Sequence, residues 1–439
     1  CLIYSKAGSA TEWTLVSKTK SGVLSTTRMN LPAGVNGRIS QRNGKRTVIH
    51  AGIQKIGQKR ENENRGGIGV KRWMMLSCLV LLVFAGCSDT ETNPADGNQS
   101  SDESALPYEI ETVAEELNVP WEVVFAGEGN LFFTERPGNL RMIRDGELVE
   151  EPLLSFPAPF ISEGEGGLLG LALDPDFAAN QYLYIYHSYE KDGGILNRVL
   201  RVIVHKDKAE IDKVILDGIV GDTNHNGGRL KIGSDGLLYI TAGDRYEPEL
   251  AQEETSLGGK ILRIHLDGSI PEDNPFEDSP VYSYGHRNPQ GLAWHPETGQ
   301  LYSSEHGQTA HDEINLIHKG KNYGWPVIEG DETKEGMTSP LLHSGEETWA
   351  PSGMAFITEG EWKNQLLVAN LRGNQILKVE LSEDGSKVVK TDTLFKGQYG
   401  RIRNVVEAPD GSIYFLTNNH DGRGVPQDGD DKIIRLISK

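Results

Sequence analysis

The chain has 439 residues, with 51 glycines, 20 prolines and 3 cysteines, too few thiols for a disulfide framework to be read from them. Its net charge of −19 is unevenly held: residues 1–73 carry 14 Lys/Arg against 3 Asp/Glu, and the remainder 30 against 60. Such an acidic body would repel phosphate backbones, which excludes nucleic acid as a partner and leaves small neutral or calcium-assisted ligands.

Residues 1–69 begin with Cys, not Met, and show no sustained hydrophobic period. They read as upstream sequence outside the working protein or as a disordered segment, with the true start near Val70, Met74 or Met75. Residues 70–87 follow, with "KRWMMLSCLVLLVFAGC" from Lys71 to Cys87. A basic start, an apolar run from Met74 to Phe84 and small residues before a cysteine describe a signal peptide, too short for a comfortable membrane span. "VFAGC" resembles the lipobox of bacterial lipoproteins, although Phe84 is less usual there than Leu. It implies an exported protein, lipid-anchored through Cys87 to the cell membrane or its periplasmic or extracellular face. The other readings are a plain cleaved signal or a membrane helix. Residues 88–107 are polar and acidic, with no large apolar residue before Leu106, and read as a flexible tether.

Residues 108–439 alternate short strands with Gly/Asp/Pro turns. "GLALDPDFAANQYLYIYHS", "GRLKIGSDGLLYITAGD", "GLAWHPETGQLYSSEHG", "GMAFITEGEWKNQLLVANL" and "NVVEAPDGSIYFLTNNH" share one plan, and "PWEVVFAGEGNLFFTERPG" is a looser first copy. Leu171, Leu230, Leu292, Met354 and Val405 become equivalent, spaced by 59, 62, 62 and 51 residues. Six copies of a four-strand-sized unit predict an all-β fold, a six-bladed β-propeller. No crossover helices separate the strands, which argues against a parallel α/β sheet.

The turns that lead into the repeats are rich in polar residues. "EGEGGLLG" holds Glu165, "NHNGGRL" holds Asn224 and His225, and "YGHRNPQG" holds His286, Arg287 and Asn288. "SEHGQTAHDEINL" supplies an acidic loop from Glu305 to Glu313, "NLRGNQ" holds Arg372, and "GRIRNVV" holds Arg401 and Arg403. Any one of these alone reads as a turn residue satisfied by backbone. Four arginines around one propeller mouth would repel each other without an anionic ligand, most simply a polycarboxylate or phosphate.

Taken in order, "EGGLLGLALDPDF", "NHNGGRLKIGSDGLLYITAGD", "GGKILRIHLDGSIPEDNPF", "YSYGHRNPQGLAWHP", "SSEHGQTAHDEINLIHKGKNYGWP" and "GRIRNVVEAPDG" resemble the soluble glucose dehydrogenases that depend on pyrroloquinoline quinone (PQQ). The resemblance is nearer to their shorter relatives, the aldose sugar dehydrogenases, within the sorbosone-dehydrogenase-like propellers. It implies PQQ and Ca2+ as cofactors and oxidation of an aldose sugar at C1 to a lactone. Electrons would pass to an external acceptor (a quinone, dye or cytochrome) rather than NAD. His225 falls at the general base, taking the proton of the anomeric hydroxyl as hydride passes to the quinone. Arg287 matches the residue beside the quinone oxygens. Asn288, Arg372, Arg401 and Arg403 match cofactor contacts. Gly307 and Gln308 map to two carbonyls that hold calcium against PQQ, and Glu313 and Tyr323 to a further, structural calcium site.

Some positions depart from the family pattern. Glu165 stands for a glutamine near the substrate, where a carboxylate is expected to alter sugar preference or raise the pKa of the base. Asn224 replaces an aspartate beside the base, and Gln308 a proline. The short "AGDRYEPELAQEETSLGGK" lacks the bulky insertions of the glucose dehydrogenases, which predicts a more open site. Two other readings stay open. One is a calcium-dependent propeller hydrolase of lactonase type, and the other a non-catalytic extracellular binding module.

Overall fold

A computed structural model describes residues 12–18, 24–30, 106–127 and 129–439. Within residues 1–69, strand Glu12–Lys18 pairs antiparallel with Leu24–Asn30. Residues 70–105, expected to hold the signal peptide, Cys87 and the tether, lie outside the described residues.

Leu106 is already buried in the core that follows. From there the chain forms six sheets of four or five antiparallel strands, the six blades of the expected propeller. Their innermost strands are Pro120–Phe125, Leu168–Leu173, Leu230–Ile232, Pro289–Trp294, Pro351–Phe356 and Ile402–Glu407. Each innermost strand touches the next, and the sixth touches the first, so the ring closes. The last blade takes its outermost strand from the start of the domain. Tyr108–Ala114 pairs antiparallel with Ile433–Ser438.

The strand patterns follow from this stacking. Second strands such as Leu131–Glu135, Leu238–Ala242, Leu366–Asn370 and Ile413–Thr417 are buried at every residue. A sheet covered on both faces needs continuous apolar runs rather than alternation. Outer strands such as Val388–Leu394 are mostly exposed. The buried apolar residues form six clusters, one at each junction between neighbouring blades. The repeat positions Leu171, Leu230, Leu292, Met354 and Val405 fall one to each of five junctions, and Val123 lies at the sixth. Each faces the preceding blade, so the sequence alignment is also a structural one.

Polar side chains plug the channel between the inner strands. Arg229 is fully buried and pairs with Glu122 of the first blade. It also donates to the Gln290 carbonyl of the fourth blade at 2.7 Å and to Ser352 of the fifth at 3.4 Å. Only a side chain lying across the channel reaches three blades. Its guanidinium stacks 4.0 Å from the Trp121 ring.

Candidate active site

One end of the channel opens into a cavity of about 580 Å³. Two sets of loops build it. The first leads into the inner strands and brings Glu165, His225, Arg287, Ala350 and Arg401. The second joins the second and third strands of every blade but the second and brings Arg136, Tyr246, residues 306–309 with Asp312, Arg372 and Asp421–Arg423.

His225 stands in the wall at 4% exposure, with its backbone left-handed at φ 56°. Several groups hold that unfavourable conformation. The His225 N–H donates to Glu165 Oε2 at 3.1 Å, and the Asn288 side chain accepts from Gly227 N–H at 3.0 Å. Gly243 lets the neighbouring strand approach, because a Cβ there would sit 2.1 Å from the His225 carbonyl oxygen. His225 Nδ1 lies 2.6 Å from Asp244 Oδ1. A carboxylate accepts, so Nδ1 carries the proton and Nε2 keeps its lone pair. Nε2 bonds to no described residue. Asp244 also accepts from Tyr246 N–H at 3.0 Å and from Trp325 Nε1–H at 2.8 Å.

Arg287 is fixed beside it. Its N–H donates to Glu305 at 2.8 Å, and its guanidinium donates to the Gly307 carbonyl at 2.5 Å. Its Nε is enclosed without a partner. Desolvation lowers its pKa, against the pull of Asp244.

The lining holds six arginines, at 136, 287, 372, 401, 403 and 423, against three carboxylates, Glu165, Asp312 and Asp421. Arg401 pairs with Asp421 at 2.7 Å, and Arg423 with Glu165 at 2.5 Å. Arg403 differs. It is buried and its guanidinium meets only neutral acceptors, Asn418 at 3.0 Å, Gln290 at 2.8 Å and Ser352 at 3.3 Å. Burial pulls its pKa down to about 9, against the attraction of Asp421. A buried cation without a carboxylate and an excess of three positive charges ask for a polyanion.

The sequence-based expectations separate here. Glu165, His225, Arg287, Gly307, Gln308, Arg372, Arg401 and Arg403 converge on the cavity. Asn224 and Asn288 stand behind it: Asn224 accepts from Arg423 at 2.7 Å, and Asn288 is fully buried with an unpartnered Nδ2. Glu165 reaches the backbone of His225 rather than its ring. Burial opposes its ionisation, but the charges of His306 and Arg423 outweigh that and hold its pKa down to about 2. His286, beside Arg287 in sequence, is fully buried between Ser283 and Glu305.

Glu313 and Tyr323 meet elsewhere, around a void of about 10 Å³ shared with Glu305 and Glu329. Burial and the charge of Glu305 raise the Glu313 pKa, and a Glu329 oxygen is enclosed without a partner. Arg287 lines the same void, and among the described residues no group of three His, Cys, Asp or Glu is placed to hold a metal ion. The Tyr323 hydroxyl is already used, donating to Leu316 O at 2.6 Å and accepting from His318 N–H at 2.8 Å.

Sequence reasoning missed Asp244, Tyr246, Arg136, Arg423 and His306. Strand register offered the signal for Asp244. Leu230 pairs with Ile240, and continuing that hairpin brings residue 225 to the level of 244–245.

Comparison with known proteins agrees with the architecture. The Glucose / Sorbosone dehydrogenase family matches residues 117–434. The chain belongs to this family. Among its relatives within the glucose/sorbosone dehydrogenases is the PQQ-bound aldose sugar dehydrogenase of Streptomyces coelicolor. That structure is 35% identical, with a TM-score of 0.69 over 75% of this chain and 98% of the other. The aldose sugar dehydrogenase YliI of Escherichia coli K12 is 32% identical, over 71% of this chain and 91% of its own. Quinoprotein glucose dehydrogenase B of Acinetobacter calcoaceticus is 27% identical, over 81% and 94%.

Proposed function

We propose that the protein is a PQQ-dependent aldose sugar dehydrogenase that oxidises its substrate at C1 to the lactone. The observation that carries this is the pairing of a cavity with three excess positive charges and a histidine base in its wall. PQQ is a tricarboxylate, so its charge matches that excess. Arg403, Arg401, Arg372 and Arg136 would hold the carboxylates, with Asn288 acting from behind the wall through its bond to Gly227 in the turn that carries His225.

Bound there, PQQ would supply the acceptor for the hydride that leaves the sugar C1. His225 Nε2 takes the proton of the C1 hydroxyl. Asp244 fixes the tautomer that leaves Nε2 free and stabilises the imidazolium that results. Arg287 holds a guanidinium where negative charge develops.

Calcium is part of the proposal. Gly307 and Gln308 would present carbonyls to one ion. The Gly307 carbonyl is already turned to the Arg287 guanidinium, the orientation a cation ligand needs, so an ion there competes with Arg287. The further, structural ion expected at Glu313 and Tyr323 would need these groups to rearrange, because no three ligands converge there and the Tyr323 hydroxyl is already bonded. Cys87 and the segment before it support export with a lipid anchor, and Cys87→Ala should move the protein from the detergent phase to the aqueous phase. The lactonase reading asks for free carboxylates on the channel axis. The buried carboxylate there, Glu122, is instead paired with Arg229.

Purified protein mixed with PQQ and calcium tests the proposal. Dye reduction with an aldose and retained PQQ absorbance are expected, with activity lost on chelation and restored by calcium. No dye reduction with any aldose and no retained PQQ would overturn it.

A further inference from the structure

The guanidiniums around the cavity are not equally free. Arg401 has Asp421 and Arg423 has Glu165, and in the channel below Arg229 has Glu122. Arg403 has no such carboxylate. Its Nε and one Nη2–H go to Asn418 Oδ1, at 3.1 and 3.0 Å. Its Nη1 divides between Gln290 Oε1 at 2.8 Å and Ser352 Oγ at 3.3 Å. Of the five N–H groups of a guanidinium, this leaves one Nη2–H over.

The shortest of these bonds is made by Gln290, which is 4% exposed and lines the cavity. Its side chain also accepts from Ser352 Oγ at 3.0 Å, and its backbone carbonyl accepts from Arg229 Nε at 2.7 Å. Main chain and side chain are both fixed, so Oε1 stays on Arg403. A glutamate has the same shape and would put a charged oxygen at the same point. Arg403 would then be neutralised from within, as Arg229 is by Glu122. The amide instead makes the bond without the charge. Glu122 does not serve both cations, because its oxygens already receive Arg229, Asn404 Nδ2 and the Val123 N–H.

We propose that Gln290 is a specificity-determining residue of the cofactor site: by holding Arg403 through a neutral oxygen, it reserves that cation for a carboxylate of the ligand. This rests on the proposed PQQ binding and names the residue that makes an anionic cofactor obligatory at Arg403. A buried cation without a counter-charge costs the empty protein stability, and a ligand carboxylate restores it. Gln290→Glu should therefore move two properties in opposite directions.

Thermal melts of the PQQ-free protein and fluorescence titration with PQQ read the two. Gln290→Glu should melt above wild type without PQQ, because Arg403 gains an ion pair. It should bind PQQ about 10- to 100-fold more weakly, because two carboxylates now compete for one guanidinium. Gln290→Met removes the oxygen without adding a charge. It should melt below wild type and keep PQQ affinity within a few-fold. Benzene-1,3,5-tricarboxylate, a trianion without redox chemistry, is the second probe and should follow the same order. A purely structural role would lower melting temperature and affinity together in both variants. Gln290→Glu that binds the anions as tightly as wild type, or melts below it, overturns the proposal. A wild type that binds no PQQ overturns the cofactor reading instead, and the melts with the tricarboxylate titration then decide Gln290.

Discussion

Asp244 Oδ1 and His225 Nδ1 lie 2.6 Å apart across the first hairpin of the third blade. The bond sets which ring nitrogen is free. Asp244→Asn offers an amide in place of a pure acceptor and removes that constraint. Turnover should fall by about two to four orders of magnitude, with PQQ still retained by the arginines. Dye-linked rates and PQQ absorbance on one preparation check both points. A rate within about tenfold of wild type would show that another group orients the histidine.

Arg403 and Arg372 should differ in their hold on the cofactor. Arg403 is buried against neutral partners, whereas Arg372 is exposed on the rim. Arg403→Met should weaken PQQ binding by about 10- to 100-fold, the worth of a buried charge-assisted hydrogen bond. Arg372→Met should cost only a few-fold, because solvent screens its charge. Fluorescence titration with PQQ measures both, and a reversed order would assign the principal carboxylate contact to the rim.

Glu165, whose ionised form His306 and Arg423 favour, makes part of the stability pH-dependent. The Glu165 pKa is held at about 2, below the usual 4.5. A carboxylate whose pKa is depressed on folding contributes stability that is full above the unfolded pKa and is lost as pH falls through the folded one. The Tm gap between wild type and Glu165→Gln should therefore be widest near neutrality and narrow as pH falls from about 4.5 towards 2. Thermal melts across that range read it, and a gap constant with pH would mean that the pair is screened.

Gly243→Ala tests the packing behind the base. The new methyl would sit 2.1 Å from the His225 carbonyl and 2.9 Å from Asn288 Oδ1, so the left-handed turn must move. Turnover should fall at least 100-fold with the propeller still folded by circular dichroism. Activity near wild type would show that the turn relocates without shifting the ring.

Much of the fold was legible because a propeller repeats its burial. Leu171, Leu230, Leu292, Met354 and Val405 each fill the same place against the preceding blade, so one pattern recurs. The last outer strand was not legible. Tyr108–Ala114 carries the mixed exposure of any edge strand, and nothing in it names a partner at the far end of the chain. The site divided in a similar way. Turns leading into inner strands carry motifs, and through them His225, Arg287 and Arg401, with Arg403 just inside its strand, could be singled out as candidates. Asp244 and Arg423 sit in charged loops that resemble ordinary solvated turns, and their partners lie in other segments. His286 has no motif that announces its place, since nothing beside it in the sequence points to the buried Glu305 that receives it.

The seal of the ring has a further consequence. Lys439 reaches back to the Leu106 carbonyl, 333 positions away, beside the pairing of first and last strands. The sixth blade is therefore assembled from two places more than 300 residues apart, so its edge depends on closing the longest loop that any strand pair in the ring spans.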